Sequence, residues 1–311
     1  MRVLVTGGAG FIGSHVVDRL LADGHRVDVV DNLSTGRSEF VNAKAASHAC
    51  DIRSTRLDAV FAAAEPEAVV HVAAQAAVAR STADPLTDAS VNVLGTIGVL
   101  ASCRRRNVRR VVYISTGGAA YGDTDVIPTN EDHPARPTSP YGVSKVAAES
   151  YLTCWQGLTG GSTLSLRLAN VYGPRQNPLG EAGVIAIFAH RLLRGERCIV
   201  HWDGEQTRDY VYVEDVADAV SRALDRPEAR GILNVGTGVE VSVNELYGRL
   251  AVLAGVTGAP AHGPRREGDW RRGALDATRA GEALGWKPLT TLEAGLAQTM
   301  AYFKAAHTEK P

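Results

Sequence analysis

The chain has 311 residues, of which 45% are hydrophobic and 22% are charged, and its 33 Lys and Arg nearly balance 34 Asp and Glu. This composition excludes an intrinsically disordered chain, and the length suggests one large α/β unit or two coupled domains. A formal net charge of −1 excludes a broadly cationic surface, so we expect no nucleic-acid partner.

Cysteine usage indicates reduced thiols and no metal centre. The four cysteines lie far apart, with no CxxC pair and no histidine at metal-ligand spacing: Cys50, Cys103, Cys154 and Cys198. Met1 and Arg2 lead directly into an apolar segment, which leaves no room for a signal peptide. No apolar run approaches the ~20 residues of a membrane span. We therefore expect a cytoplasmic protein with no membrane partner.

The first half of the chain alternates short β-branched runs with segments of helical periodicity. Strands are predicted at 2–6, 26–31, 68–72 and 110–115, with a weaker one near 47–50. Apolar residues at helical spacing mark 14–22, 90–103 and 141–155. Apolar strands without polar alternation, separated by helices, indicate a parallel sheet buried on both faces. The predicted fold class is α/β, with a doubly wound (Rossmann) sheet.

The pattern becomes irregular after residue 163, where Pro, Gly and Asn accumulate in 170–183, and a helix is predicted over 182–194. Residues 201–208 are polar and turn-like, while the apolar runs 164–168 and 232–235 can return to the main sheet. We predict a first domain over 1–165 with returns near 210–240. A smaller, interleaved α/β domain is predicted over 166–311.

A glycine-rich turn follows the first predicted strand. Residues 7–13 read GGAGFIG and precede a helix, so the backbone can approach a pyrophosphate and the helix N-terminus can bind it. Asp31 ends the second strand, 18 residues after Gly13. An acidic side chain there can bind both ribose hydroxyls of NAD and would repel the extra phosphate of NADP, although Arg37 nearby keeps NADP open. We predict an NAD site.

Tyr141 and Lys145 form a candidate catalytic pair. Ser139 and Pro140 mark a helix start, which places Tyr141 and Lys145 four residues apart on one helix face. A tyrosine with a pKa near ~10 is a poor base at pH 7. A lysine cation, an oxidised nicotinamide and the helix N-terminus would all favour its phenolate. We predict that this pair transfers a proton.

A third catalytic group is predicted at the tip of the 110–115 strand. Thr116 lies 25 residues before Tyr141, and its hydroxyl can share a hydrogen bond with a substrate alcohol and the tyrosine. Ser115 is the alternative. Hydroxyl side chains at strand ends more often satisfy backbone groups, so a purely structural role stays open for both.

Taken together, these motifs resemble the extended short-chain dehydrogenase/reductase family, and within it the NAD-dependent epimerases and dehydratases of the UDP-glucose (UDP-galactose) 4-epimerase type. The resemblance covers essentially the whole chain. Its carriers are GGAGFIG (7–13), DNLSTG (31–36), Asp51-Ile52, HVAAQAAV (71–78), Asn92, YGVSK (141–145), LRLANVYGPRQNP (166–178), DGEQTRDYVYVEDVADA (203–219), NVGTG (234–238) and RREGD (265–269). It implies C4 epimerisation of a UDP-hexose through a 4-keto intermediate, in a homodimer joined through the 90–103 and 141–155 helices.

The resemblance also implies site residues, with NAD in the first domain and the nucleotide sugar in the second. Cofactor contacts fall on Gly7, Gly10, Phe11, Ile12, Gly13, Asp31, Asn32, Ser34, Thr35, Gly36, Asp51, Ile52, Ala73, Ala74, Gln75, Asn92, Tyr141 and Lys145. Substrate contacts fall on Asn170, Val184, Val200, His201, Arg208, Tyr210, Arg266 and Asp269. Arg208 and Arg266 suit a diphosphate because guanidinium offers paired donors to phosphate oxygens.

Several positions depart from the family pattern. Aligned on Tyr121, the usual catalytic hydroxyl falls on Gly117; counted back from Tyr141, it falls on Thr116. His201-Trp202 replaces the usual aromatic-glycine pair beside the uracil.

Substrate alternatives stay open at three positions. Gly273 lies where hexose-restricted members carry a bulky residue, so N-acetylated UDP-sugars are an alternative substrate. Glucuronate-specific relatives carry Arg at the position of Asn177; the absence of Arg there favours a neutral hexose, although Arg175 keeps a uronate substrate open.

Two other classes of protein are alternatives to an epimerase. A 4,6-dehydratase needs an Asp-Glu pair after the catalytic threonine, which Gly117-Gly118 does not provide. A non-catalytic NAD-binding protein is the remaining alternative.

Overall fold

A seven-stranded sheet organises the fold. The structure is a computed structural model that describes residues 1–179, 183–265 and 270–308. The sheet strands are β1 (Arg2–Thr6), β2 (Arg26–Asp31), β3 (Ala46–Ala49), β4 (Ala68–His71), β5 (Arg110–Thr116), β6 (Ser162–Leu168) and β11 (Gly231–Val235). They lie in the order β11-β6-β5-β4-β1-β2-β3, and all neighbours run parallel. The predicted doubly wound α/β sheet is confirmed.

Helices cover both faces of this sheet and build a second region beside it. They are α1 (Phe11–Ala22), α2 (Leu57–Ala64), α3 (Val78–Ala83), α4 (Pro85–Ala89), α5 (Gly95–Arg105), α6 (Gly118–Tyr121), α7 (Pro140–Thr159), α8 (Val184–Leu193), α9 (Val213–Asp225), α10 (Val243–Ala254), α11 (Thr278–Leu284) and α12 (Leu292–Thr308). Short strands pair outside the main sheet: β7 (Asn170–Tyr172) with β10 (Tyr210–Tyr212), β8 (Ile199–His201) with β13 (Ala261–Gly263), and β9 (Thr207–Arg208) with β12 (Val241–Ser242).

The core divides along the pleat of the strands. Val3 and Val5 of β1 pack on the face covered by α1 and α9, whereas Leu4 packs on the face covered by α2, α5 and α7. Alternate residues of one strand therefore enter two different cores, which is why Val3, Leu4 and Val5 are all apolar. A third core joins α8, α10 and α12.

The predicted domain boundary at residue 165 lies inside β6. This strand lies between β5 and β11, so the run 162–168 belongs to the main sheet, and β11 returns to it from the second half of the chain. The predicted helix 182–194 corresponds to α8, and residue 182 lies outside the described residues.

The helical stretch Pro85–Arg105 joins α4 to α5 through a π-helical turn at Ser90–Leu94. Its 21 residues are long and apolar enough to cross a membrane, although 44% of the apolar window is buried inside the fold. This differs from the expectation that no apolar run approaches that length. A core helix of a globular domain has the same composition, and α5 contributes Val99, Leu100 and Cys103 to the core.

Candidate active site

The glycine-rich turn connects β1 to α1 at the carboxyl edge of the sheet. Gly7 has a φ of +73°, and a Cβ atom there would lie 2.7 Å from the backbone nitrogen of Ala73. A Cβ on Gly13 would lie 2.0 Å from the carbonyl oxygen of Gly7. Only glycine fits at either position, so the first turn of α1 folds back closely on the strand end.

The N-terminus of α1 is available to a phosphate. Gly10 is the N-cap and, among the described residues, no side chain caps the helix by a hydrogen bond. The N–H groups of the first turn, which includes Phe11 and Ile12, therefore keep their capacity to bind an anion, and the helix dipole favours negative charge. This half-buried backbone surface fits the predicted pyrophosphate site.

Asp31 ends β2 beside the turn. Its carboxylate accepts hydrogen bonds from the backbone N–H of Ala9 (3.0 Å) and of Leu33 (2.8 Å), which fixes its orientation. Arg37 pairs with Glu39 at 3.1 Å on the exposed side of the loop. The acidic group at the strand end is thus prearranged for ribose hydroxyls, in keeping with NAD.

The other predicted cofactor residues surround the same edge. Asn32 donates to Asp51 at 2.8 Å, and Arg53 binds the same carboxylate through two nitrogens, which holds the pKa of Asp51 well below its usual range. Ile52 is buried. Exposed Ser34 and Thr35 and half-buried Gly36 follow Asn32, and half-buried Ala73, Ala74 and Gln75 follow β4.

The amide of Asn92 lies at a junction of these loops. It accepts a hydrogen bond from the backbone N–H of Gln75 (2.8 Å) and donates to Ser144 Oγ (3.0 Å) on α7. Its Nδ2 and the Gln75 side chain also donate to Asp88, at 3.1 and 2.9 Å. Asn92 therefore links the loop after β4 to α7.

Tyr141 lies in the first turn of α7. Ser139 is the N-cap and accepts a hydrogen bond from the N–H of Gly142 at 3.1 Å, and Pro140 occupies the first turn, as predicted. The Tyr141 side chain is half-buried and hydrogen-bonded to Thr116 at the tip of β5. Removal of the phenol from water raises the pKa of Tyr141 to about 12, against the opposing effect of the Thr116 hydrogen bond.

Lys145 lies one turn further along α7 and is buried. Its ammonium donates to the carbonyl oxygen of Ile114 at 2.6 Å and lies 4.2 Å from the centre of the Tyr113 ring. Burial lowers the pKa of Lys145 to about 7, and the carboxylates of Glu149 and Asp88 act in the opposite direction. Desolvation therefore opposes the charged form of both residues, and a phenolate favoured jointly by the lysine cation, an oxidised nicotinamide and the helix N-terminus stays a prediction.

Ser115 and Thr116 have different partners. Ser115 donates a hydrogen bond to Glu149 at 2.6 Å, and both residues are buried. Glu149 also binds the guanidinium of Arg167 through two hydrogen bonds of 3.0 and 2.7 Å. Ser115 therefore belongs to a buried ion-pair network, while Thr116 contacts Tyr141.

Sequence reasoning missed Glu149, Arg167 and Asp88. Glu149 lies four residues after Lys145 on the same helix face, a signal that spacing alone could have given. Asp88 is 1% exposed, and its Oδ2 atom has no hydrogen-bond partner among the described residues. The electrostatic influence of Asp88 reaches both Tyr141 and Lys145. Nothing in the sequence pattern distinguishes Asp88 from a solvated helix residue.

Of the predicted substrate residues, Asn170 and Arg208 line a second cleft beside Gly118. Asn170 is exposed on β7, and Arg208 lies on β9 with its guanidinium 4.4 Å from the Trp270 ring. Tyr210 is buried, its hydroxyl has no hydrogen-bond partner within the described ranges, and burial raises its pKa. Predicted contacts also include half-buried Val184 on α8, and buried Val200 and half-buried His201 on β8. Arg266 and Asp269 lie outside the described residues.

Metal-ligating residues do not cluster in this site. Within residues 1–179, 183–265 and 270–308, no group of three or more His, Cys, Asp or Glu comes together at ligand distance.

Comparison with known proteins assigns the family. Residues 3–236 match the NAD dependent epimerase/dehydratase family. The chain belongs to this family, whose name agrees with a dinucleotide turn placed beside a Tyr–Lys pair.

Individual relatives are similar over their full length. A UDP-glucose 4-epimerase from Mycolicibacterium smegmatis is 47% identical over 98% of this chain and 99% of its own. The UDP-glucose 4-epimerase of Thermotoga maritima, solved with UDP-glucose, is 44% identical with a TM-score of 0.96, covering 99% of this chain and 100% of its own. That of Thermus thermophilus, solved as a complex with NAD, is 43% identical with a TM-score of 0.93, covering 98% and 100%.

Proposed function

We propose that the protein is an isomerase that inverts C4 of a UDP-hexose, interconverting UDP-glucose and UDP-galactose with NAD as cofactor. The observation that carries this proposal is the half-buried Tyr141, hydrogen-bonded to Thr116 and one helical turn from Lys145. All three lie at the same sheet edge as the dinucleotide turn and Asp31. Ligands of open α/β sheets bind at this edge.

The residues present fit NAD. A Cβ atom on Gly7 or Gly13 would collide with neighbouring backbone, so the turn is built for close approach, and Asp31 is oriented by two backbone donors. Phosphates would bind at the start of α1 and the adenosine ribose at Asp31. When bound, NAD+ supplies a hydride acceptor and a positive charge beside the phenol.

Tyr141 carries the proton transfer. As the phenolate, Tyr141 takes the proton of the sugar 4-hydroxyl while C4 is oxidised, holds it, and returns it to the same sugar oxygen when C4 is reduced. Thr116 orients both oxygens through its hydroxyl. The ammonium of Lys145, held by the Ile114 carbonyl, stabilises the phenolate by its charge.

Inversion requires the 4-keto sugar to present its other face, so only the nucleotide half of the substrate is anchored. Arg208 is suited to the diphosphate because a guanidinium binds phosphate oxygens with paired donors. Its side chain is held by the carbonyl oxygens of Thr207 (2.7 Å) and Trp270 (3.0 Å). Because the relatives named above are UDP-glucose 4-epimerases, we favour a UDP-sugar over a dTDP-sugar as the substrate.

The test is incubation of the purified protein with a panel of nucleotide sugars, followed by separation of the C4 epimers. The panel contains UDP-glucose, UDP-galactose, their N-acetyl forms, UDP-glucuronate and dTDP-glucose. We expect UDP-glucose and UDP-galactose to reach the same mixture from either side. Elimination of water from the sugar would instead indicate a 4,6-dehydratase, and no turnover would indicate a non-catalytic NAD-binding protein.

A homodimer is part of the proposal. The two helices expected at the interface expose large apolar side chains: Leu86 and Leu94 on the 85–105 stretch, and Val143, Tyr151 and Leu158 on α7. Exposed apolar surface on adjacent helices favours burial against a second subunit. Sedimentation of the purified protein at the mass of one chain would contradict this.

A cytoplasmic location without a membrane partner is also proposed. The four cysteines form no disulfide bonds, and reducing compartments such as the cytoplasm keep thiols in this state. Recovery of the protein with the membrane fraction of its cells would contradict this.

A further inference from the structure

The indole of Trp270 packs between Gly118 and Gly273, two glycines that line the substrate cleft. A Cβ atom on Gly118 would lie 3.0 Å from the six-membered ring of the indole, and one on Gly273 would lie 3.0 Å from its nitrogen. The guanidinium of Arg208 covers the indole face at 4.4 Å. Three segments distant in sequence therefore enclose one aromatic side chain.

This arrangement changes the interpretation of Gly273. A glycine at that position suggested open space for a larger sugar, but the space is taken by the indole. The cavity that remains beside it measures about 20 Å³ and is lined by Asn170, Arg208 and Gly273 among others. Such a volume holds about one water molecule, so the indole occupies most of the room beside Gly273.

The wall formed by Trp270 lies close to the reacting groups. Gly118 is two residues from Thr116, which is hydrogen-bonded to Tyr141. Because the sugar has to present both faces of its ring to one hydride site, a substituent at C2 has to clear both sides of the cleft. A rigid indole on one side therefore limits the size of that substituent in at least one of the two orientations.

We propose that Trp270 is a specificity-determining residue that restricts the enzyme to hexoses without a C2 N-acetyl group. This inference rests on the proposed function. It predicts that the side chain at 270, rather than the glycine at 273, sets the upper size of the sugar.

The test measures binding, so that it does not depend on turnover. Kd values for UDP-glucose and UDP-GlcNAc are obtained by calorimetry with the wild-type NAD complex and with Trp270→Phe and Trp270→Ala. We expect the wild type to favour UDP-glucose by ~10-fold or more, and the preference to fall stepwise to near unity in Trp270→Ala, the range that one small group in a pocket contributes. Both ligands carry the same nucleotide, UDP, so any disturbance of Arg208 affects both Kd values and cancels in their ratio.

Trp202→Ala is the matched control. Trp202 also stacks with guanidinium groups, those of Arg265 at 4.4 Å and Arg271 at 4.8 Å, but lies beside the expected position of the base. Its loss is expected to change both Kd values by the same factor. A wild type that binds UDP-GlcNAc as tightly as UDP-glucose, or an unchanged ratio in Trp270→Ala, would overturn the inference. Absence of turnover with a shifted ratio would instead contradict only the proposed function.

Discussion

Replacement of Tyr141 by phenylalanine is expected to lower kcat for UDP-galactose by ~10²–10⁴-fold, the usual contribution of a positioned acid–base group. The substitution removes one hydroxyl and keeps the ring, so the start of α7 and its Ser139 cap are preserved. Bound NAD should be retained, because the dinucleotide turn and Asp31 are untouched. The measurement is kcat together with the NAD content of the purified variant.

Tyr151→Phe provides the matched control on the same helix. Tyr151 is 45% exposed and lies ten residues after Tyr141 on α7; because Tyr151→Phe keeps the ring that would pack against a second subunit, it should leave kcat unchanged. Near-normal turnover in Tyr141→Phe would remove Tyr141 from its proposed role. An equal loss of kcat in both variants would show that a disturbed α7, and not the missing phenol hydroxyl of Tyr141, lowers the rate.

Replacement of Glu149 by glutamine is expected to lower the free energy of unfolding by ~3–5 kcal/mol, because it leaves the charge of Arg167 buried without its partner. Glu149 and Arg167 are each 4% exposed and joined by two hydrogen bonds, and the guanidinium also lies 4.7 Å from the Tyr121 ring. Urea denaturation measures this loss of stability.

Replacement of Glu149 by glutamine also removes a carboxylate that raises the pKa of Lys145, so the Lys145 pKa should fall below about 7. Since a lysine loses its charge as pH rises through its pKa, the alkaline limb of kcat should move to lower pH.

Two further variants distinguish loss of the buried ion pair from a general loss of stability. The double variant Glu149→Gln with Arg167→Met removes both charges of the pair, so its stability should exceed that of Glu149→Gln alone. Glu196→Gln breaks an exposed pair with Arg194 and should leave the unfolding curve unchanged. A Glu149→Gln protein as stable as the wild type would contradict the assigned importance of the pair.

Local sequence was sufficient for much of the sheet. The runs around Val3, Val27 and Val111 have β-branched residues on both faces, and in a parallel sheet both faces are buried, so continuous apolar strands were predictable. The turn at Gly7 and the cap at Ser139 were predictable for a similar reason: each depends on residues within about one turn of chain.

Other features depend on contacts that sequence spacing does not encode. Ser115 and Thr116 are adjacent, yet they bind side chains two helical turns apart on α7, and a strand buried on both faces has no polar alternation to show which hydroxyl points where. The filling of the space beside Gly273 by Trp270 requires Gly118, more than 150 residues away in the chain, to come alongside. The raised pKa of Tyr141 is likewise set by desolvation, which only the packed structure reveals.

In the proposed reaction, C4 of the sugar is oxidised and reduced within one active site, and Tyr141 carries the proton. Its most direct test is conversion of UDP-galactose that carries deuterium at C4. We predict UDP-glucose that still carries the deuterium at C4, because the hydride leaves and returns without exchange while the proton passes through Tyr141. Product that has exchanged the label for solvent hydrogen, or UDP-galactose recovered unchanged, would contradict this reaction.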